Sequence, residues 1–219
     1  MQAEAGTPRI GLFGGSFDPP HCGHEALVLR ALQALHLDGL WVVPAGQPVH
    51  RRLSGHAGPE QRLAWMQRIF AEHEQVEVLD WEVMRRQPTP SIDTLRRFHR
   101  EFPDMWPVLL LGEDAFAAMD AWVDYPEHAA LCDVAVFSRA GYSGGEQVMF
   151  APSAFRPMQP EAWLTSPARC GQRVHVEADL PDVSATDIRR RARNEKSLAG
   201  LVPECIRREI EQAYAAKAG

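Results

Sequence analysis

Two histidines three residues apart, His21 and His24, lie in the stretch Gly14-Gly15-Ser16-Phe17-Asp18-Pro19-Pro20-His21-Cys22-Gly23-His24. Imidazoles donate to phosphate oxygens, and the spacing puts both on one side of a first helical turn. Gly14 and Gly15 let backbone approach a ligand with no Cβ in the way. The apolar run Ile10-Gly11-Leu12-Phe13 before the stretch reads as a buried strand. After it, Leu27, Ala31 and Leu35 recur at helical spacing, so a strand-to-helix turn is expected, with the helix starting near Cys22. A helix N-terminus presents N–H donors and a partial positive charge, which suits a phosphate. Taken alone, two such histidines are as readily caps or solvated side chains of a tight turn.

Three further groups could join this chemistry. His50 and Arg51, in Pro48-Val49-His50-Arg51-Arg52, lie in a Gly-, Pro- and base-rich loop over residues 44–59. Ser184 and Asp187 form a capping-box pattern that starts a helix carrying Thr186, Arg189, Arg190 and Arg191. Gly112, Asp114 and Trp122 follow the apolar run Trp106-Pro107-Val108-Leu109-Leu110-Leu111. Trp122 alone would read as a core or anchoring aromatic. The chain has no GxSxG and no GxxxxGK[ST], so neither hydrolase-elbow nor P-loop chemistry is indicated.

The opening stretch resembles the GxFDPxHxGH signature of the HxGH nucleotidyltransferase superfamily. The GxDxxxxxxxW spacing of Gly112, Asp114 and Trp122 narrows the likeness to the bacterial nicotinate-nucleotide adenylyltransferases. Val183-Ser184-Ala185-Thr186-Asp187-Ile188-Arg189 resembles that family's I/V-S-A/S-T-x-I-R element, and Ser138-Arg139-Ala140-Gly141-Tyr142 its Arg-x-Gly-Tyr. The likeness covers most of residues 9–139 and 183–214. It implies catalytic roles for His21, His24 and Arg189. It implies ATP binding by Gly14, Gly15, Ser16, Phe17, His50, Arg51, Ser184, Thr186 and Arg189. Ser91, Gly112, Asp114 and Trp122 are implied to bind the acceptor. The implied reaction joins ATP and nicotinate mononucleotide into nicotinate adenine dinucleotide and pyrophosphate in NAD biosynthesis. Mg²⁺ arrives on the ATP phosphates, and no metal-binding residue is assigned. Pro88-Thr89-Pro90-Ser91-Ile92-Asp93-Thr94-Leu95 departs from the family's PSYTxxTL, with Pro90 where Tyr is usual.

The elements that must position these residues alternate. Strands are expected near residues 9–13, 40–43, 76–79, 106–111, 134–137 and 174–176. Helices are expected near 22–37, 59–72, 91–100, 184 onward and 203–216, with an apolar helical segment after Gly112 reaching Trp122. Such βαβ units imply a Rossmann-like α/β fold, a parallel sheet flanked by helices, with ligands beyond the carboxyl ends of the strands. A single domain over 1–219 is expected, with an irregular insertion at about 143–172 and a helical C-terminal segment over 184–216.

Composition bounds the rest. A chain of 219 residues with 45% hydrophobic content can bury a full core. A formal net charge of −6 offers no basic surface for a nucleic acid backbone. The cysteines Cys22, Cys132, Cys170 and Cys205 form no CxxC pair, and no apolar run nears the length of a membrane span. A cytoplasmic location and no nucleic-acid or membrane partner are expected; oligomeric state stays open. Alternative readings are an adenylyltransferase of the same superfamily acting on phosphopantetheine or nicotinamide mononucleotide, a non-catalytic nucleotide sensor, and a class I aminoacyl-tRNA synthetase fragment.

Overall fold

The computed structural model describes residues 6–47, 57–85, 87–139, 152–166 and 171–216. In chain order the elements are β1 (Arg9–Gly15), α1 (Cys22–Leu35), β2 (Gly39–Pro44), α2 (Pro59–Ile69), β3 (Val76–Val78), α3 (Ser91–Glu101), β4 (Trp106–Gly112), α4 (Glu113–Ala117), β5 (Asp133–Arg139), β6 (Arg156–Met158), α5 (Pro160–Thr165), β7 (Gln172–Ala178), α6 (Ala185–Arg193) and α7 (Glu204–Tyr214). The seven strands form one sheet in the order β3-β2-β1-β4-β5-β7-β6, and the pairs β1–β4, β4–β5, β5–β7 and β6–β7 run parallel. This is the Rossmann-like architecture expected from the alternating apolar runs.

The chain divides into two compact units. One comprises residues 1–13, 30–41 and 90–179; the other 14–29, 42–89 and 180–219. In the first, residues 106–111 of β4 and 133–138 of β5 are buried, as central parallel strands must be. Gly11 is needed on β1 because a Cβ there would lie 2.8 Å from Leu37 Cδ1. Trp41 packs on Phe98 and Phe102 of the α3 region, at ring-centroid distances of 5.2 and 4.8 Å. In the second unit, Trp65 and Met66 on α2 and Ile206, Ile210 and Tyr214 on α7 are buried. Trp65 Nε1 donates to Glu209 Oε2 at 3.0 Å, joining α2 to α7.

Several elements differ from their sequence expectation for local reasons. Helix α1 stops at Leu35, two residues short of the expected end, because His36 already adopts a left-handed φ of 47°. The segment after Gly112 is not one helix to Trp122. Helix α4 ends at Ala117, a single 3₁₀ turn covers Met119–Ala121, and Trp122 is extended. The stretch expected as an irregular insertion contains β6 and α5 among its described residues. Both are too short for periodicity to reveal: β6 is an edge strand of three residues with Pro157 at its centre. On α7 the buried positions are Ile206, Ile210 and Tyr214.

Candidate functional site: a phosphate turn and an acceptor pair

The turn after β1 is built by contacts that its sequence makes necessary. Phe17 takes a left-handed φ of 46°, unusual for a bulky residue, and its ring is buried. A Cβ on Gly15 would lie 2.9 Å from that ring, so this position must be glycine. The Phe17 ring meets His24 edge-on at 5.0 Å. Gly23 is tight as well: a Cβ would lie 3.1 Å from the His21 ring and 3.3 Å from the Pro181 carbonyl. Gly14 is exposed, and a Cβ there would meet nothing closer than the Val43 carbonyl at 3.9 Å. Packing within the chain therefore demands Gly15, crowds Gly23, and leaves space at Gly14.

His21 caps α1, its carbonyl accepting from His24 N at 2.9 Å. Its own N–H donates to His24 Nδ1 at 3.2 Å, and the two rings stack at 3.6 Å. This hydrogen bond fixes the His24 tautomer. Nδ1 is the acceptor, so the ring proton of the neutral imidazole sits on Nε2. Burial, and then the charge of His21, hold His24 well below the ordinary histidine value, so it is a neutral donor at physiological pH. The helix N-terminus is less open than the sequence suggested. Cys22 N donates to the Leu201 carbonyl at 3.0 Å, and His24 N and Glu25 N to His21. Among the described residues Gly23 N–H keeps no internal acceptor in that first turn.

Helix α6 brings the cation. Ser184 caps it, Oγ accepting from Asp187 N at 3.2 Å. The other half of the expected capping box is diverted: the Asp187 carboxylate receives Arg190, and Arg191 Nε at 2.8 Å. Arg189, one turn in, donates through Nη1 to the Asp18 carbonyl and through Nη2 to Thr186 Oγ1 at 3.1 Å. Asp18 is itself buried and accepts from the Tyr214 hydroxyl. Burial, with the Asp18 hydrogen bond next, pushes the Tyr214 phenol far above its ordinary value, so it stays a donor. Thus His21, His24, Ser184, Thr186 and Arg189 gather on the turn 15–18 and the starts of α1 and α6.

Arg62, Asp18 and Tyr214 escaped the sequence reading. Arg62 on α2 is fully buried; it donates to the Ser16 carbonyl and through Nη2 to the Gly46 carbonyl at 2.9 Å. It ties the phosphate turn to the chain leaving β2. No sequence pattern marks it, because its partners Ser16 and Gly46 lie outside α2. His50 and Arg51 lie outside the described residues.

The residues expected to bind the acceptor lie in the first unit, with Ser91, Gly112 and Asp114 at the starts of α3 and α4. Ser91 opens α3, and Pro90 is its cap. Pro90 therefore occupies a position ahead of the helix. Ser91 and Ile92 still present N–H groups in the first turn, while Asp93 N returns to the Pro90 carbonyl at 3.0 Å. Gly112 caps α4, with open space where a Cβ would stand, and Asp114 is exposed on the first turn of that helix. Trp122 is half-buried against His128, at 5.8 Å between rings. His128, missed in the sequence, reaches Ser91 Oγ at 2.9 Å through Nε2. It thereby connects two of the residues assigned to the acceptor. Among the described residues, no group of three or more His, Cys, Asp and Glu could hold a metal ion.

Comparison with known proteins identifies the family and the fold. The family model described as Cytidylyltransferase-like matches residues 12–191. A Thermotoga sp. protein described as "Probable nicotinate-nucleotide adenylyltransferase" is 35% identical, over 95% of this chain and 97% of its own. A protein of the same description from Albidiferax ferrireducens is 38% identical, over 92% and 94%. The fold is shared with the Plasmodium falciparum nicotinic acid mononucleotide adenylyltransferase complexed with NaAD, at a TM-score of 0.70 and 15% identity over 94% of each chain. The chain thus belongs to the cytidylyltransferase-like nucleotidyltransferases and, within them, to the nicotinate-nucleotide adenylyltransferase family.

Proposed function

We propose that the chain transfers the adenylyl group of ATP to nicotinate mononucleotide, giving nicotinate adenine dinucleotide and pyrophosphate, a step of NAD biosynthesis. The observation that carries this reading is the 35% identity to a relative of that description over 97% of the relative's length. The assembled phosphate turn supports it.

The chemistry asks little covalent work of the protein. A phosphate oxygen of the mononucleotide attacks the α-phosphorus of ATP, the bond to the β-phosphate oxygen breaks, and pyrophosphate leaves. The nucleophile is already an oxyanion at neutral pH, so no general base is needed. Rate comes from alignment and from donors preorganised toward charge building on the α-phosphate and the leaving group. In this reading His24 Nε2–H, Gly23 N–H, His21 and Arg189 are those donors, with Gly14, Gly15, Ser16 and Phe17 shaping the approach. Mg²⁺ enters as part of MgATP, carried by phosphate oxygens. Ser91, Gly112, Asp114 and Trp122 take the pyridine end, Trp122 by stacking.

Product analysis tests this directly. The protein is mixed with ATP, Mg²⁺ and nicotinate mononucleotide, nicotinamide mononucleotide or phosphopantetheine. Nicotinate adenine dinucleotide with equimolar pyrophosphate is the expected outcome, and kcat/KM at least about tenfold higher for the acid than for its amide. A protein that binds ATP but releases no pyrophosphate with any acceptor would be a sensor.

A further inference from the structure

Ser91 is assigned above to the acceptor, and a serine hydroxyl has one proton and two lone pairs. Which of these it offers to a ligand depends on its other partner. That partner is His128, in the 3₁₀ turn Glu127–Ala130, whose Nε2 lies 2.9 Å from Ser91 Oγ. The imidazole is completely buried, and its Nδ1 has no hydrogen-bond partner. It is also held in place: its carbonyl accepts from Leu131 N at 2.9 Å and Cys132 N at 3.0 Å, and its ring lies against Trp122. His128 is thus a buried polar side chain with an unused nitrogen that joins two of the residues assigned to the acceptor.

Two tautomers are possible. With the proton on Nδ1, Nε2 accepts from Ser91. Ser91 then faces the ligand with lone pairs alone, which repel a carboxylate and suit an amide NH₂. Nδ1 is unpartnered in either tautomer, as a donor in this one and as an acceptor in the other, so the ligand that Ser91 must meet decides between them. With the proton on Nε2, His128 donates to Ser91 Oγ, and the serine proton turns outward as a donor. A carboxylate can only accept. We propose that His128 is a positioning residue for acceptor selection: its Nε2–H donates to Ser91 Oγ and so presents the Ser91 hydroxyl as a donor to an acidic pyridine acceptor. The inference rests on the acid-acceptor reading above. Burial keeps the ring neutral, holding His128 below the ordinary histidine value against the pull of Glu127 and Asp124, with Arg96 acting in the same direction as burial.

The test compares His128→Leu, which fills the space without nitrogen, with His128→Gln, whose amide can again donate to Ser91. Steady-state kinetics with nicotinate and nicotinamide mononucleotide at saturating MgATP give the acid-over-amide ratio of kcat/KM. The ratio should fall at least about fivefold in His128→Leu, through the KM for the acid, and recover in His128→Gln. A ratio unchanged in His128→Leu overturns the positioning role alone. Equal kcat/KM for both acceptors in the wild type overturns this role and the acid-acceptor reading together. If His128→Leu does not fold, ¹⁵N spectra of histidine-labelled wild type decide, with His128→Gln assigning the signal. A ring protonated at Nε2 is expected, and one protonated at Nδ1 overturns the proposal.

Discussion

His24 acts, in the proposed reaction, as a donor whose direction is set by its own backbone neighbour. Because His21 N–H donates to Nδ1, the ring proton sits on Nε2, and this reading turns Nε2–H toward phosphate. Removing one preorganised donor to transition-state charge costs about 2.7–4 kcal/mol, so His24→Ala should lower kcat by about 10²–10³-fold with the circular dichroism spectrum unchanged. A lowered pKa adds a second expectation. His24 stays neutral as pH falls through the ordinary histidine range, so its donor neither appears nor disappears there. The pH profiles of kcat for wild type and His24→Ala should therefore run parallel between about pH 6 and 8. An inflection present in wild type and absent from His24→Ala would show that the ring titrates. Arg189 poses a different demand. Its two Nη atoms already hold the Asp18 carbonyl and Thr186, so it serves as a planar fork rather than a point charge. Arg189→Lys should lose at least about tenfold in kcat/KM for ATP. Wild-type kinetics in that variant would make Arg189 an ordinary surface arginine.

At the scale of elements, the turn after β1, proposed to bind phosphate, is held by side chains from helices remote in sequence. Arg62 binds the Ser16 and Gly46 carbonyls, and Tyr214 binds the Asp18 carboxylate. Replacing Arg62 by Met keeps the apolar stem but leaves one buried and one part-buried carbonyl without their donor. Each costs about 1–3 kcal/mol, so Arg62→Met should lower the urea midpoint and raise the KM for ATP together. An unchanged midpoint would mean that water replaces the guanidinium. The same contacts explain what could be read in advance. The β1–turn–α1 unit, the Ser184 cap and the central strand β4 were legible because short periodic runs and local caps specify them. Arg62, Tyr214 and His128 were not, because their partners lie far along the chain: 46 residues for Arg62 and Ser16, 196 for Tyr214 and Asp18, 37 for His128 and Ser91. Strand β6 and helix α5 were missed because three and six residues are too few for a period to show.

Over the whole molecule, one buried carboxyl should mark how stability responds to pH. Asp133 opens β5; its Oδ1 accepts from Gln172 N at 2.9 Å and its Oδ2 from Trp163 Nε1 at 3.2 Å. Burial dominates those hydrogen bonds and the nearby charge of Arg9, and pushes the carboxyl from its ordinary 3.8 up to about 7. The folded chain therefore holds a proton that the unfolded chain releases. Between about pH 4 and 7 the native state binds more protons, so stability falls as pH rises, and the Asp133 contribution is lost once pH passes about 7. The direction is opposite to that of a carboxylate stabilised by an ion pair. Other groups titrate too, so the observable is a difference. Urea unfolding of wild type and Asp133→Asn at pH 5 and pH 8 should show wild type losing about 2–3 kcal/mol more than the variant over that interval. The variant's amide places an NH₂ against existing donors and lowers its stability at both pH values, which leaves the comparison of slopes intact. Parallel slopes would mean that Asp133 is ionised throughout, with Arg9 compensating its burial.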